Sequence, residues 1–262
     1  MAKRTNINEK SPFLRELQIE YLIHELKGPV SVIETGLRRI LEKQQYYGPV
    51  SSRQEKTLLR TLRNTKKVRE MLNDLLEIGR SEAGFFESGR FQPLKAVHEV
   101  LWETIEVTVE SIFEPSPIPV YSFEKLHRYG IYVGISSKVD VMEMYQDESK
   151  FRQIFGNLIK NALFHRKKRI DIKMKQKGDC LLIDVTDDGP GVKPEHHETI
   201  FGRYKQVNVA STVQRRGHGL GLAGSLIMSR CLGGDIELTR GKRKGATFRL
   251  ILPMNLPETE EP

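Results

Sequence analysis

Four groups of residues in this chain have the types and spacings that chemistry needs. His24 is followed at once by Glu25, in the run His24-Glu25-Leu26-Lys27-Gly28-Pro29. A neutral imidazole is a nucleophile, and an ordinary pKa near 6.5 leaves it mostly neutral at neutral pH. Asn157 and Asn161 stand four apart, so a helix would carry both amides on one face. An amide carbonyl oxygen suits a hard cation. In Asp187-Asp188-Gly189-Pro190-Gly191, which follows an apolar run, an acceptor-only carboxylate precedes glycines that permit close approach of backbone to a ligand. Gly217-His218-Gly219-Leu220-Gly221-Leu222 opens a helical stretch, where backbone amides can bind phosphate oxygens.

The elements that must position these residues can be read from hydrophobic periodicity. Residues 12–45 read as one long helix, with Leu22, Leu26, Val30, Ile33, Leu37 and Ile40 as its apolar stripe. At about 100° per residue, His24 points roughly opposite that stripe, where a core histidine would not lie. Pro29, inside the helical pattern, should bend the helix just past His24. Tyr46-Tyr47-Gly48-Pro49 breaks the pattern, and residues 51–82 form a second helix striped by Leu58, Leu62, Thr65, Val68, Leu72 and Leu75. Such a hairpin cannot bury its apolar surface from all sides alone. A symmetric dimer forming a four-helix bundle solves this, so a homodimer is expected.

Ala83-Gly84 and Ser88-Gly89 suggest a hinge, after which strands and helices alternate. Residues 91–93 read as a short strand and 94–113 as a helix. Strands are expected at 131–136, 139–145, 170–175, 180–186, 236–239 and 246–252. Helices are expected at 150–164 and 220–232. This is a two-layer α/β sandwich pattern. The expected organisation is a dimerising helical-hairpin domain over 1–88, an α/β domain over 89–254, and an acidic, proline-containing tail over 255–262 expected to be disordered.

Taken in order and at these separations, the four groups resemble the sensor histidine kinases of two-component signalling, from about residue 16 to 253. The resemblance implies phosphorylation of His24 by ATP and transfer of the phosphoryl group to an aspartate on the receiver domain of a response regulator. It makes Glu25 the base or orienter of the histidine ring. It assigns Asn157, Asn161, Asp187, Gly189, Gly191, Phe201, Tyr204, Gly217, Gly219, Leu220 and Gly221 to the nucleotide pocket, with Asn161 on Mg2+ and Asp187 on the adenine amine. Phe201 and Tyr204 resemble the aromatic box anchoring a mobile ATP lid, here about 202–217. Within it Arg203, Lys205, Arg215 and Arg216 are candidate phosphate contacts. ATP-hydrolysing relatives carry Glu where Asn157 stands; asparagine cannot deprotonate water, which favours phosphoryl transfer over hydrolysis. Two positions depart from the pattern. Phe164 replaces a frequent lysine, leaving His165 or the basic run 166–169 as phosphate contacts. Gly28 replaces the Thr or Asn that resembles a water-positioning device for dephosphorylating the regulator, which puts phosphatase activity in doubt. The alternative is a non-catalytic dimeric phosphotransfer or scaffold protein with a degenerate nucleotide domain.

Composition bounds these readings. The chain has 262 residues, 29% of them charged, and a net charge of +8. No apolar run approaches the roughly 18–20 residues of a membrane-spanning helix. A cytoplasmic protein without direct membrane insertion is expected, with its signal arriving from a possible separate sensor protein. The run Arg166-Lys167-Lys168-Arg169 reads first as a solvated turn between helix and strand. No aromatic residues interleave with its cations, so nucleic acid is not an expected partner. Cys180 and Cys231 lack metal-ligand spacing and read as buried reduced thiols.

Overall fold

The computed structural model describes residues 12–108, 123–197, 199–202, 221–239 and 245–256, with side chains of 12–19 and 106–108 left aside. The chain divides into two compact units, Met1–Phe85 and Phe86–Pro262.

The first unit is a helical hairpin of α1 (Pro12–Glu42) and α3 (Ser52–Glu82), joined through the short α2 (Gln44–Tyr47). Gly48, at φ +88°, lies in the turn. Ser51 caps α3 by accepting from the Gln54 amide, and Gln54 returns the bond to the Ser51 amide. Ile23, Leu72 and Leu76 form the buried seam, flanked by Val30 and Leu75. Glu34, also buried, pairs with Arg38 and with Arg69 of α3, whose Nη1 lies 2.8 Å from Oε2.

The apolar stripe of α1 is thus divided. At about 100° per residue, Ile23, Val30 and Glu34 lie at one margin and face α3. Leu22, Leu26 and Ile33 lie towards the other margin and are 57%, 53% and 51% exposed within this chain. Val68, expected on the α3 stripe, is also exposed.

The second unit is a two-layer α/β sandwich. A five-stranded sheet of order β2-β4-β5-β7-β6 combines β2 (Ile131–Ile135), β4 (Ile170–Lys177), β5 (Cys180–Asp187), β6 (Asp235–Thr239) and β7 (Thr247–Pro253). The β2–β4 pair is parallel and the other pairs are antiparallel. Alternation puts Ile170, Ile172, Met174, Ile183, Val185, Phe248 and Leu250 in the core, under α4 (Pro93–Thr108), α6 (Glu148–His165) and α7 (Gly221–Cys231). The opposite face carries polar side chains such as the ion-paired Asp184 and Arg249.

Three expectations need correction. Residues 139–145 are not one strand: α5 (Ser137–Asp140) is a helical turn, and β3 (Met144–Asp147) follows it. The burial of Val139 and Met142, three apart, belongs to a turn; that of Met144 and Gln146, two apart, belongs to a strand. Ser88 and Gly89 begin β1 (Ser88–Phe91), which pairs antiparallel with β3 in a separate two-stranded sheet. Asn255 and Leu256, expected in the tail, bridge to Tyr145, with the Leu256 amide 2.8 Å from the Tyr145 carbonyl. Residues 109–113 of the expected fourth helix and 257–262 of the tail lie outside the described residues. Cys180 and Cys231 are reduced but only half-buried. Among the described residues no helix is long and apolar enough to cross a membrane.

Phe151 is fully buried where α6 crosses the sheet and packs against Phe91, with ring centroids 5.3 Å apart. Phe151→Ala is expected to destabilise the second unit by about 3–5 kcal/mol, the usual loss for a large core aromatic. A urea midpoint lowered by less than a third of that equivalent would show the site collapsing around the cavity.

Candidate functional site

The site in the second unit is organised by one face of α6. Asn157, Asn161 and His165 follow at four-residue steps, spanning about 12 Å at 1.5 Å per residue. Asp147 starts the helix, its Oδ1 accepting from the Lys150 amide at 3.0 Å. The core side of α6 is filled by Phe151, Ile154, Phe155, Leu158, Ile159 and Ala162, all at most 2% exposed. That packing fixes the roll of the helix, leaving Asn157 and Asn161 half-buried on its flank.

Asn157 anchors one end of this row. Its Nδ2 donates to Ser225 Oγ at 3.1 Å and to the Gly221 carbonyl at 3.4 Å, tying α6 to the first turn of α7. Ser225 is fully buried and was not foreseen; its only signal was a serine within an apolar helix. Asn161 is one turn further along and half-buried. An amide oxygen in that place suits a hard ligand. Among the described residues no three His, Cys, Asp or Glu side chains converge as a metal cage. A magnesium ion at Asn161 would then be held largely by nucleotide phosphates and water, the usual manner for Mg2+.

Asp187 closes the other end, at the last residue of β5. It is 3% exposed, and its Oδ1 accepts from the amides of Gly189 at 2.8 Å and Ala246 at 3.4 Å. Burial pushes its carboxyl above the ordinary range, against the opposing pull of those two amides and of His165. Burial likewise holds the His165 imidazole below its usual value, partly offset by Asp187. A Cβ at Gly189 would lie 2.3 Å from the His165 carbonyl, so this turn passes the end of α6 too closely for any side chain. Gly191 has φ +76°, a conformation that L side chains rarely adopt. Ala246, the second donor to Asp187, comes from the start of β7 and carried no sequence signal.

Asp188, the next residue, has a structural job. Its carboxylate accepts from the amides of Lys167, Lys168 and Arg169 at 2.8–3.1 Å. Desolvation pushes its pKa upward, but these amides hold it below the ordinary range. The basic run is accordingly the turn between α6 and β4. Arg166 donates to the Tyr129 carbonyl, and Arg169 pairs with Asp171 while covering the Tyr132 ring. Phe201 packs edge-on against Phe248, with centroids 6.2 Å apart. Gly221 begins α7 beside Asn157. Tyr204, Gly217, Gly219 and Leu220 lie outside the described residues, as do Arg203, Lys205, Arg215 and Arg216.

His24 and Glu25 belong to the first unit. His24 is exposed on α1, its side chain 53% accessible, whereas the adjacent Ile23 is 4% exposed in the hairpin seam. Glu25 is exposed beside it. Gly28 has nothing within 4 Å of where a Cβ would stand.

Residues 146–256 match the family described as histidine kinase-, DNA gyrase B-, and HSP90-like ATPase. Over 232 residues the chain is 27% identical to sensor histidine kinase MtrB of Mycobacterium leprae, covering 88% of this chain and 38% of that protein. It is 24% identical over 236 residues to the signal transduction histidine-protein kinase ArlS of Staphylococcus aureus, covering 89% and 48%. Hybrid signal transduction histidine kinase B of Dictyostelium discoideum is 24% identical over 242 residues, which are 90% of this chain and 11% of that protein. The chain thus spans less than half the length of these relatives. Among solved structures, full-length ShkA in complex with AMPPNP is similar in fold, with a TM-score of 0.64 and 21% identity over 92% of this chain and 46% of that one. The histidine kinase AdeS of Acinetobacter baumannii gives a TM-score of 0.53 and 20% identity over 88% and 98%.

Asp187→Asn is expected to weaken ATP binding by about one to two orders of magnitude, from loss of a charge-assisted hydrogen bond of roughly 1.5–3 kcal/mol. The pH dependence has a definite sign. With its folded pKa raised, Asp187 takes up a proton earlier than an ordinary carboxyl as pH falls, so affinity should drop across that interval in the wild type and not in the variant. The same raised pKa contributes stability that is present at low pH and lost as pH rises through the folded value. Calorimetric titration from neutral to mildly acidic pH measures the affinity limb; parallel curves for the two proteins would place the adenine elsewhere.

Proposed function

For a chain that resembles sensor histidine kinases along most of its length and carries their ATPase domain in residues 146–256, we propose an ATP-dependent protein histidine kinase. It phosphorylates itself on His24 and passes the phosphoryl group to an aspartate of a response regulator. The observation that carries this reading is the row Asn157, Asn161 and His165, which runs along α6 from the first turn of α7 to the buried carboxylate of Asp187. Its length suits a nucleotide lying with adenine at Asp187 and phosphates towards Gly221 at the start of α7.

In the reaction the Nε2 lone pair of His24 forms a bond to the γ-phosphorus as the bond from that phosphorus to the β,γ-bridging oxygen breaks. ADP leaves with the electron pair. Glu25 is the carboxylate placed in sequence to hold or take the Nδ1 proton. When bound at Asn161, Mg2+ would neutralise charge on the transferring phosphates. Asn157 serves by position, holding the start of α7 through Ser225. No observation favours the non-catalytic scaffold reading.

Residues 1–88 act as the dimerisation and phosphotransfer part and 89–254 as the ATP-binding part. The exposed apolar margin Leu22, Leu26 and Ile33 supports a homodimer whose hairpins pair as a four-helix bundle. The margin that covers α3 and the margin left exposed together make the wide stripe such a bundle requires. Use of ATP and of a response regulator fits a cytoplasmic setting.

Incubation with magnesium and γ-labelled ATP should give label that is stable to base and labile to acid. His24→Gln is expected to abolish this label while leaving ATP affinity within about twofold, because His24 lies in the other unit. Acid-labile label persisting on the variant would move the acceptor elsewhere.

Gly28 stands one helical turn beyond His24 and offers no side chain to orient a water in line with the regulator's acyl-phosphate. Little phosphatase activity is expected in the wild type. The open space at Gly28 admits a larger residue, and Gly28→Thr should gain such activity towards phosphorylated regulator in the presence of ADP. Rapid dephosphorylation by the wild type, unchanged in the variant, would refute the role assigned to this position.

A further inference from the structure

The phosphoacceptor lies beside a charged pair that none of the motifs contains. Glu20 precedes His24 by one helical turn, and its Oε1 is 3.9 Å from His24 Nε2. That same oxygen accepts from two nitrogens of Arg80, Nε at 3.1 Å and Nη2 at 3.0 Å. Arg80 belongs to the last turn of α3, so the pair bridges the two helices of the hairpin. A second carboxylate, Glu77, lies 3.9 Å from Arg80 Nη1. Glu20, His24 and Arg80 are all partly solvent-accessible, so each can change partner without opening the hairpin seam.

This arrangement has an electrostatic consequence for the reaction. A phosphoryl group on Nε2 brings about two negative charges to the atom nearest Glu20 Oε1. Like charges at that separation repel, and the guanidinium now satisfying Oε1 is a cation already held at that carboxylate. A planar guanidinium with several donors matches phosphate oxygens better than it matches one carboxylate oxygen. The added group therefore competes with Glu20 for Arg80, and the outcome affects only the phosphorylated state.

Resting on the histidine kinase reading, we propose that Arg80 is the residue that holds the phosphoryl group on His24. On phosphorylation it leaves Glu20 Oε1 for the phosphoryl oxygens. Glu20 stations the guanidinium beside Nε2 beforehand and opposes the phosphorylated state by its own charge. The two residues together set how far phosphorylation proceeds at a given ratio of ATP to ADP. No proton moves in the exchange; one ion pair replaces another.

The test uses the full chain with magnesium, γ-labelled ATP and a fixed excess of ADP, and reads the ratio of phosphorylated to free His24 at equilibrium. Arg80→Ala should lower that ratio about three- to tenfold, between the effect of a partly exposed ion pair and that of a charge-assisted hydrogen bond. Arg80→Lys should recover part of it. Glu20→Gln keeps the size of the side chain and removes its charge, and should raise the ratio about two- to fivefold. The opposite signs matter: a pair that merely braced the hairpin would lower phosphorylation in both variants. The phosphorus resonance of the phosphohistidine should also move in Arg80→Lys and Arg80→Ala. If Arg80→Ala fails to fold by circular dichroism, Arg80→Lys and Glu20→Gln carry the same opposed signs. Equal ratios in all proteins, or a fall in Glu20→Gln, would overturn the proposal while leaving His24 as acceptor. Absence of label in the wild type would instead overturn the kinase reading on which it rests.

Discussion

The packing of α6 onto the five-stranded sheet is the constraint from which the nucleotide-side geometry follows. Six apolar side chains of the helix are buried against the sheet and its neighbouring helices. A helix so embedded cannot roll, because each tilt would open voids in a close-packed interior. The polar residues on its flank inherit that rigidity. Asn157 can therefore carry the start of α7, and the C-terminal end of the helix can press its His165 carbonyl against the turn at Gly189. Loops on either side are positioned by contacts with one rigid element, which suits a ligand that must be gripped at two ends.

Residues 187 and 188 show how position decides the work of a side chain. They are chemically identical and adjacent, yet one points into the protein at the end of β5 and the other outwards over the α6–β4 turn. Asp187 is buried with few donors, and its charged form is disfavoured. A carboxylate in that state has unsatisfied acceptor capacity and gains by meeting a donor such as an exocyclic amine. Asp188 is already saturated by backbone amides, which favour its charge. Its energy is spent on the turn, and the basic residues of that turn are oriented by it. The carboxylate with acceptor capacity to spare is the one suited to ligand recognition; the saturated one is suited to architecture.

Much of this was legible in the sequence, for identifiable reasons. Long helices with clear periodicity announced α1, α3 and α6, and two-residue alternation announced β4, β5 and β7. The row of Asn157 and Asn161 needed only the helical repeat. What escaped the sequence depended on contacts between distant segments. Ser225 and Ala246 reach the site through the arrival of α7 and β7, separated from their partners by 68 and 59 residues. The stretch 139–145 was misread because the buried residues from 139 to 146 follow a helical spacing and then a strand spacing within eight positions, too short for either period to declare itself. The stripe of α1 was legible as apolar, but not which of its margins meets α3: a hydrophobic pattern tells which residues avoid water, not which neighbour covers them.

That last distinction bears on how the first unit can combine association with chemistry. Around the circumference of α1, the seam with α3 occupies one margin of the apolar stripe, Leu22 and Leu26 the other, and His24 stands away from both. If a second hairpin covers Leu22 and Leu26, as proposed, the imidazole remains outside the core so formed, because residues two apart on a helix diverge by about 200°. An exposed imidazole and an association surface can then share a single turn without competing for solvent. Glu20 uses the same geometry in reverse. Four residues before His24, it projects on the same side of the helix, and Arg80 joins it from α3. The ion pair therefore forms at the border between the packed seam and the exposed imidazole, where water screens it enough to remain exchangeable and the hairpin still holds it in place. A fully buried pair could not release its cation without a large desolvation cost, and a fully exposed one would not be held near Nε2.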